Sequence, residues 1–260
     1  MTTTPQPAAR PAARSRPFFP IQRVKPDGPG DQRLHPVVDQ LGAPKWLAGD
    51  SRPEEFYISS VGFTHGAVRN RKIYPDIRGR VYVTGARLVA ISDHLAHGTR
   101  YTGYSPTNYV IGRIATKVSE TRADNATAGT YLVAQMRHPW VSTVIYAPPT
   151  MHRSQRGEVR VCARHKTAFG DPETVILFLR LDPPDVVLDF VAELVDRIRV
   201  DRYNWERTTD TERMALDQLP DPATVGAAPD QLPIIRLPGS FFVGSGSANQ
   251  GVVSSLSFPT

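Results

Sequence analysis

Between residues 56 and 181 the chain is written in short segments whose apolar and polar positions alternate. Seven of them have the two-residue period and the length of half-buried strands: 56–64 (FYISSVGFT), 79–84 (GRVYVT), 87–93 (RLVAISD), 129–137 (GTYLVAQMR), 140–147 (WVSTVIYA), 159–165 (VRVCARH) and 174–181 (TVILFLRL). Val81 and Val83 point one way while Arg80, Tyr82 and Thr84 point the other. Gly85, in the connection to the next segment, offers the positive φ of a tight hairpin. Residues 174–181 form the most apolar run and predict a central strand. His138-Pro139 predicts a bend or an edge, because proline has no N–H to give to a ladder.

Two segments change period. Val110, Ile111, Ile114 and Val118 recur at spacings of three and four and predict a helix over 105–124, inserted between strands, although Gly112 weakens it. Asp182-Pro183-Pro184-Asp185 offers a cap, a proline for the first helical position and an acid for the positive end of the dipole. Val187, Phe190, Val191, Leu194, Val195 and Ile198 then make one stripe, which predicts a helix fading near Trp205. The flanks differ in kind. Residues 1–34 are rich in Pro, Ala and Arg without a usable period and predict a disordered arm. Residues 35–50 predict a short helix or a strap on the core. Residues 206–260 predict a mostly disordered tail, acidic and Pro/Ala-rich before it turns to Gly and Ser. The expected fold is therefore mainly β (α+β), one domain over 35–205 with its core at about 50–205.

Composition narrows the partners. Of 260 residues 40% are hydrophobic, enough for a real core, and the net charge is +6. Residues 206–260 hold six acids against three bases, so the basic excess lies upstream of the tail and favours anionic partners. The single cysteine, Cys162, allows no intramolecular disulfide and no cysteine-based metal site; among alternating residues it reads as a structural thiol. The N-terminal arginines are not followed by an apolar stretch, so no secretory signal is expected. Nor do about eighteen apolar residues run together anywhere, as a spanning helix needs. A cytoplasmic protein is expected.

The candidate chemistry is sparse. Asp93, His94 and His97 lie close together but run into Gly98 after a strand, which predicts a polar loop and no metal site. Cys162 and His165, three apart in a strand, point to opposite faces and make no nucleophile pair. Nucleophile-elbow, phosphate-loop and zinc-protease motifs are absent. No enzyme and no cofactor are expected. Arg69, Arg71, Lys72, Arg78 and Arg80 crowd the approach to the 79–92 hairpin, as an anion-binding loop or as a solvated one. Tyr101, Tyr104 and Tyr109 interleave with Arg100 and Arg113, as stacking platforms for nucleic acid or as caps on a sheet end. Finally, residues 232–243 (LPIIRLPGSFFV) place Ile234, Ile235, Leu237, Phe241 and Phe242 beyond an acidic linker. An apolar group of that size calls for a covering surface. A flexible tether of about 25 residues spans roughly 25–30 Å, enough to reach back to the core.

The stretch GRVYVTGARLVAIS (79–92) resembles the hairpin of GRAM and bacterial PH-like domains, with Gly79, Val81, Val83, Thr84, Arg87, Leu88 and Val89 in the matching places. It is also similar to PH-like segments of actinobacterial proteins, as is GTYLVAQMRHPW (129–140). The resemblance covers about 50–205. It implies a PH-like antiparallel β-barrel of about seven strands with a C-terminal capping helix, the 105–124 helix being an insertion. In function it implies a non-enzymatic binding or scaffolding module, an adaptor for a protein partner or an anionic surface. Lipid-binding PH domains carry a Lys-xₙ-(Lys/Arg)-x-Arg pattern in the first hairpin, and here Lys72 precedes Arg78-Gly79-Arg80. That implies an alternative: peripheral binding of anionic lipid or phosphate through 69–80, at the inner membrane surface. PH-like barrels also take peptides between an edge strand and the C-terminal helix by strand addition. This implies that 232–243 docks on its own core, on a neighbour's, or on a partner. Nucleic-acid binding is the third reading.

Overall fold

The computed structural model of the chain describes residues 20–28, 36–47, 49–65, 72–74, 78–92, 130–151, 157–166, 172–206, 208–227 and 231–243. Ten strands run through them: β1 (Ile21–Val24), β2 (Glu54–His65), β3 (Lys72–Tyr74), β4 (Gly79–Val83), β5 (Arg87–Ser92), β6 (Tyr131–Arg137), β7 (Val141–Tyr146), β8 (Glu158–Lys166), β9 (Pro172–Leu181) and β10 (Ile234–Arg236). The seven segments with alternating pattern are all strands. β1, β3 and β10 are additions to that expectation. At three or four residues they are too short to show a period, and each forms by pairing with an edge that already exists.

All pairings between these strands are antiparallel, in the order β1-β6-β5-β4-β2-β9-β8-β7-β10, with β3 also on β2. β2 is the hinge of this order. Its first half pairs with β4 and its second half with β9, and the register slips between Ile58 and Ser60. Such an irregularity bends a strand and raises its twist, so one strand can serve two half-sheets. Because β1 and β10 do not pair with each other, the sheet is open. The expected barrel of about seven strands thus gives way to an open antiparallel sheet of nine in line.

The inward positions of both halves enclose one core. Val81, Val83, Leu88 and Met136 come from one side and Val144, Val161, Leu177 and Leu179 from the other, all at most 1% exposed. Helix α1 (Val187–Tyr203) lays Phe190, Val191, Leu194 and Ile198 across it, with Phe56 edge-on to Phe190 at 5.2 Å. Burying each such side chain stabilises the fold by about 1.5–3 kcal/mol. The start of α1 differs from the sequence reading. Asp182 does not cap it; its amide instead donates to Tyr57 O at 3.0 Å. A 3₁₀ turn at Pro184–Val186 leads into the helix, whose N-cap Val186 makes no side-chain bond. A second helix, α2 (Asp210–Asp217), is closed by a capping box of Thr209 and Glu212.

Residues 36–47 and 49–50 are the expected strap, and they cover the outer face of β4, β5 and β6. There Val38 joins Tyr82, Val89, Ile91 and Val133 in a second, smaller core, and Trp46 meets Tyr82 edge-on at 5.2 Å. An ion pair lies under the strap. Arg87 Nε donates to both carboxylate oxygens of Asp50, at 2.8 and 3.0 Å, and the two side chains are 1% and 0% exposed. A further Arg87 nitrogen donates to Gln135, and Thr84 Oγ1 lies 3.0 Å from Asp50 and accepts from the Arg87 amide at 3.1 Å. Gly85 is needed here for a different reason from the one expected. Its φ is not in the left-handed region; a Cβ would instead stand 2.5 Å from Ser51 Oγ and 2.9 Å from Gly49 O. The glycine lets the strap come close, and its amide bonds Ser51 O at 3.0 Å.

The domain limits of 35 and 205 leave out β1, α2 and β10. The helix expected over 105–124, Asp93, His94 and His97, and the tyrosines at 101, 104 and 109 lie outside the described residues. No helix among the described residues is long and apolar enough to cross a membrane.

Candidate functional site

The end of α1, the free edge of β7 and the segment 231–243 meet at one place. The segment runs Ile234, Ile235, Arg236, Leu237 between two prolines, so it can add only a short strand. β10 lies antiparallel to β7, Ile235 opposite Val144 and Arg236 opposite Thr143. Tyr146 N donates to Pro233 O at 3.3 Å and Leu237 N to Ser142 O at 2.9 Å, which lengthens the contact at both ends. Ile235 and Leu237 face the core at 1% and 4% exposure, while Ile234 and Arg236 face out. The chain then turns at Gly239, whose φ of +70° is in the left-handed region. Phe241 N donates to Pro139 O and Val243 N to Arg164 O, each at 2.8 Å, and Val243 is buried. Phe241 lies against Trp205 with ring centroids 5.0 Å apart, and the Arg164 guanidinium sits 4.9 Å over the Phe242 ring.

Arg202 joins these parts. It continues the apolar stripe of α1 four residues after Ile198, and its guanidinium donates to Pro238 O on the tail, His138 O at 2.8 Å and Val141 O at the start of β7. Burial lowers its pKa to about 10, against the pull of Asp201 and Glu212, so it keeps its charge at neutral pH. His138 lies in the 3₁₀ turn His138–Trp140 between β6 and β7 and is 0% exposed. Its two ring nitrogens have no hydrogen-bond partner among the described residues. Burial, then Arg202 and Arg197, push its pKa down to about 3, while the Gly85 backbone pulls weakly the other way. Asp201 is the converse: burial raises its carboxyl to about 7, opposed by the Trp205 hydrogen bond and by Arg202 and Arg137. A cleft of about 190 Å³ opens between Arg202, Trp205, Thr209, Glu212, Ser240 and Phe241. At roughly 30 Å³ per water this is room for a few waters, below the roughly 300 Å³ at which ligand pockets begin.

Of the basic approach to the hairpin, Arg69 and Arg71 lie outside the described residues. Lys72 is in β3 opposite Phe63, Arg78 is exposed just before β4, and Arg80 is half-buried in β4 opposite Tyr57. β3 and β4 follow one another along the same edge of β2. With six residue steps from Tyr57 to Phe63, the backbones of Lys72 and Arg80 are roughly 20 Å apart along β2. The backbones of Lys72 and Arg80 thus take separate places along this edge. Cys162 is buried, and burial pushes its thiol up to about 11. Among the described residues no three His, Cys, Asp or Glu side chains are grouped to hold a metal.

The tail residues Ile235, Leu237 and Phe241 are thus brought together with β7 and α1, whereas Ile234 stays on the outside. Arg202 was missed by the sequence reading, although a signal existed: it stands at a stripe position, where a charge needs a buried partner. Comparisons with family models, with curated proteins and with solved structures find no match to this chain.

Proposed function

We propose that the protein is a non-enzymatic interaction module on a PH-like frame, and that its recognition edge is β7 beside α1. The frame is supported by the strand order. β2, β4, β5 and β6 follow one another on one side, β7, β8 and β9 on the other, and the first of these strands pairs with the last. A C-terminal helix closes the core, as in the PH-like layout. The observation that carries the functional reading is β10 itself. An extended segment adds a strand to β7 and sends Ile235 and Leu237 into the core, which is the strand-addition mode of peptide recognition with the chain's own tail as the peptide. A partner would present a strand of the same pattern, two aliphatic residues separated by one outward residue and followed by proline.

A cleavage site inserted between Ala227 and Gln231 tests this. The cut protein is mixed with a fluorescent peptide of residues 231–243. Exchange of the labelled peptide into the cut protein is expected, with at least a hundredfold loss when Ile235 and Leu237 are both replaced by Asp. A cut protein that never exchanges its tail, or that unfolds as the tail leaves, makes β10 a fixed part of the fold and removes the recognition edge.

A further inference from the structure

The outer faces of the two half-sheets are unlike. That of β4, β5 and β6 has an apolar centre of Tyr82, Val89, Ile91 and Val133 and lies under the strap, which also buries Arg87 and Gln135. On β9, β8, β7 and β10 the outward positions carry Arg180, Phe178 and Ile176, then Arg160 and Arg164, then Ile145, then Arg236. The registers set them in rows: Phe178 opposite Arg160, Arg160 opposite Ile145, Ile145 opposite Ile234, and Thr143 opposite Arg236. Arg164, Arg180 and Arg236 are exposed, and Arg160 lies 5.7 Å over the Phe178 ring. Glu158, bonded to Arg160 at 2.6 Å, is the one acid at an outward position of these strands among the described residues. The face thus sets Arg180, Arg164 and Arg236 around a floor of Phe178, Ile176 and Ile145, while Arg160, paired with Glu158, lies between Phe178 and Ile145. Glu158 also stands opposite Arg180, and Arg164 reaches Ser240 and the Phe242 ring.

We propose that this face binds single-stranded nucleic acid. Its charge calls for a polyanion, and its floor calls for flat apolar groups between the charges. A nucleotide chain supplies both, phosphates for the exposed arginines and base faces for the Arg160 guanidinium that lies over Phe178. An anionic membrane fits less well, because Ile145, Ile176 and Phe178 are half-buried among the arginines and do not project as an inserting wedge. Duplex DNA is disfavoured by width. Four strands at about 4.8 Å spacing, with side chains, exceed a major groove about 12 Å wide, and the face has no projecting helix. The face takes Arg236 from β10, so it is tested on the uncut chain with β10 in place, while peptide exchange at β7 is read separately on the cut protein.

The test uses the full chain and fluorescent twenty-nucleotide dT and rU strands, read by anisotropy between about 50 and 200 mM salt. Binding that weakens with salt is expected, with a log–log slope of about −2 to −3 for three to four phosphates neutralised. The Arg180→Glu/Arg236→Glu variant is expected to lose at least tenfold while keeping its circular dichroism and melting temperature. Phe178→Ala is expected to weaken binding severalfold with the salt slope unchanged. No binding at 50 mM salt overturns the proposal, as does binding that survives the double variant or is lost only with Arg78→Glu/Arg80→Glu. Vesicles of phosphatidylserine and phosphatidylcholine form the last arm: if they bind through Arg180 and Arg236 while the oligonucleotides do not, the face belongs to a membrane.

Discussion

Arg87 and Arg180 each point outward from an inner strand of the sheet, β5 and β9, and the protein treats them in opposite ways. Arg87 is 1% exposed, forked onto Asp50 and Gln135 beneath the strap, whereas Arg180 is exposed. The first half-sheet is finished by its own chain, because Tyr82, Val89, Ile91 and Val133 give the strap an apolar surface to lie on. The second places charges at outward positions, and among the described residues only the narrow β10 adds to its edge. What separates a buried from an exposed arginine here is therefore the covering segment, and the residue type decides nothing by itself.

The largest effect should come from breaking the covered half. Asp50→Ala leaves the Arg87 guanidinium buried without its carboxylate, which costs about 3–5 kcal/mol. Urea unfolding is expected to show that loss, and the double change Asp50→Leu/Arg87→Met should recover much of it, since both charges then leave together.

The seam between the halves responds to pH. His138, in the β6–β7 turn, has its folded pKa depressed to about 3 from 6.5, so its contribution is complete above pH 6.5 and is lost as pH falls toward 3. Asp201 is raised to about 7 from 3.8, so its effect has the opposite sign, favouring the fold at low pH and fading as pH rises through 7. Between about pH 4 and 6.5 the two oppose one another. Asp201→Asn should therefore make stability fall on acidification, by about 2 kcal/mol from pH 6.5 to pH 5, and His138→Gln should make it rise by a similar amount. Parallel profiles for the two variants would show that neither group titrates as placed.

Gly85→Ala puts a methyl group against Ser51 Oγ and Gly49 O, so it should lift the strap at a cost of about 1–3 kcal/mol. Trp46 fluorescence is expected to report the shift, with its contact to Tyr82 loosened. On the open half, Arg180→Ala/Arg236→Ala should change stability by no more than about 0.5 kcal/mol. A larger loss would mean that this face is structural too, and the contrast between the halves would fail.

The sequence carried the middle of the fold well. Seven alternating segments and the α1 stripe from Val187 to Ile198 are local patterns, and the buried faces follow their periods. The rest depends on neighbours. The alternation of VRVCARH shows that Arg160 and Arg164 share a face, but not that Arg164 is exposed there while Arg160 is half-buried against Glu158. The need for Gly85 was legible, its cause was not, since the close approach of Gly49 and Ser51 is a contact across about 35 residues of chain. β1 and β10 have no pattern of their own; they are strands because β6 and β7 offer them an edge. Of the candidate site, Ile235 and Leu237 could be named from hydrophobicity. Arg202, as a lone charge on an apolar stripe, needed the carbonyls of Pro238, His138 and Val141 to explain it.

The position of β10 in the chain has a consequence for biosynthesis. β7 leaves the ribosome about ninety residues before the strand that completes it. Through that interval β8, β9 and α1 can assemble while one sheet edge stays unpaired and the places of Ile235, Leu237 and Val243 stand empty. Unpaired edges of this kind recruit other chains. Release of the last segment is then the step that makes a nascent molecule safe from its neighbours, and chains stalled between residues 206 and 231 are expected to be the aggregating species in a translation-arrest experiment.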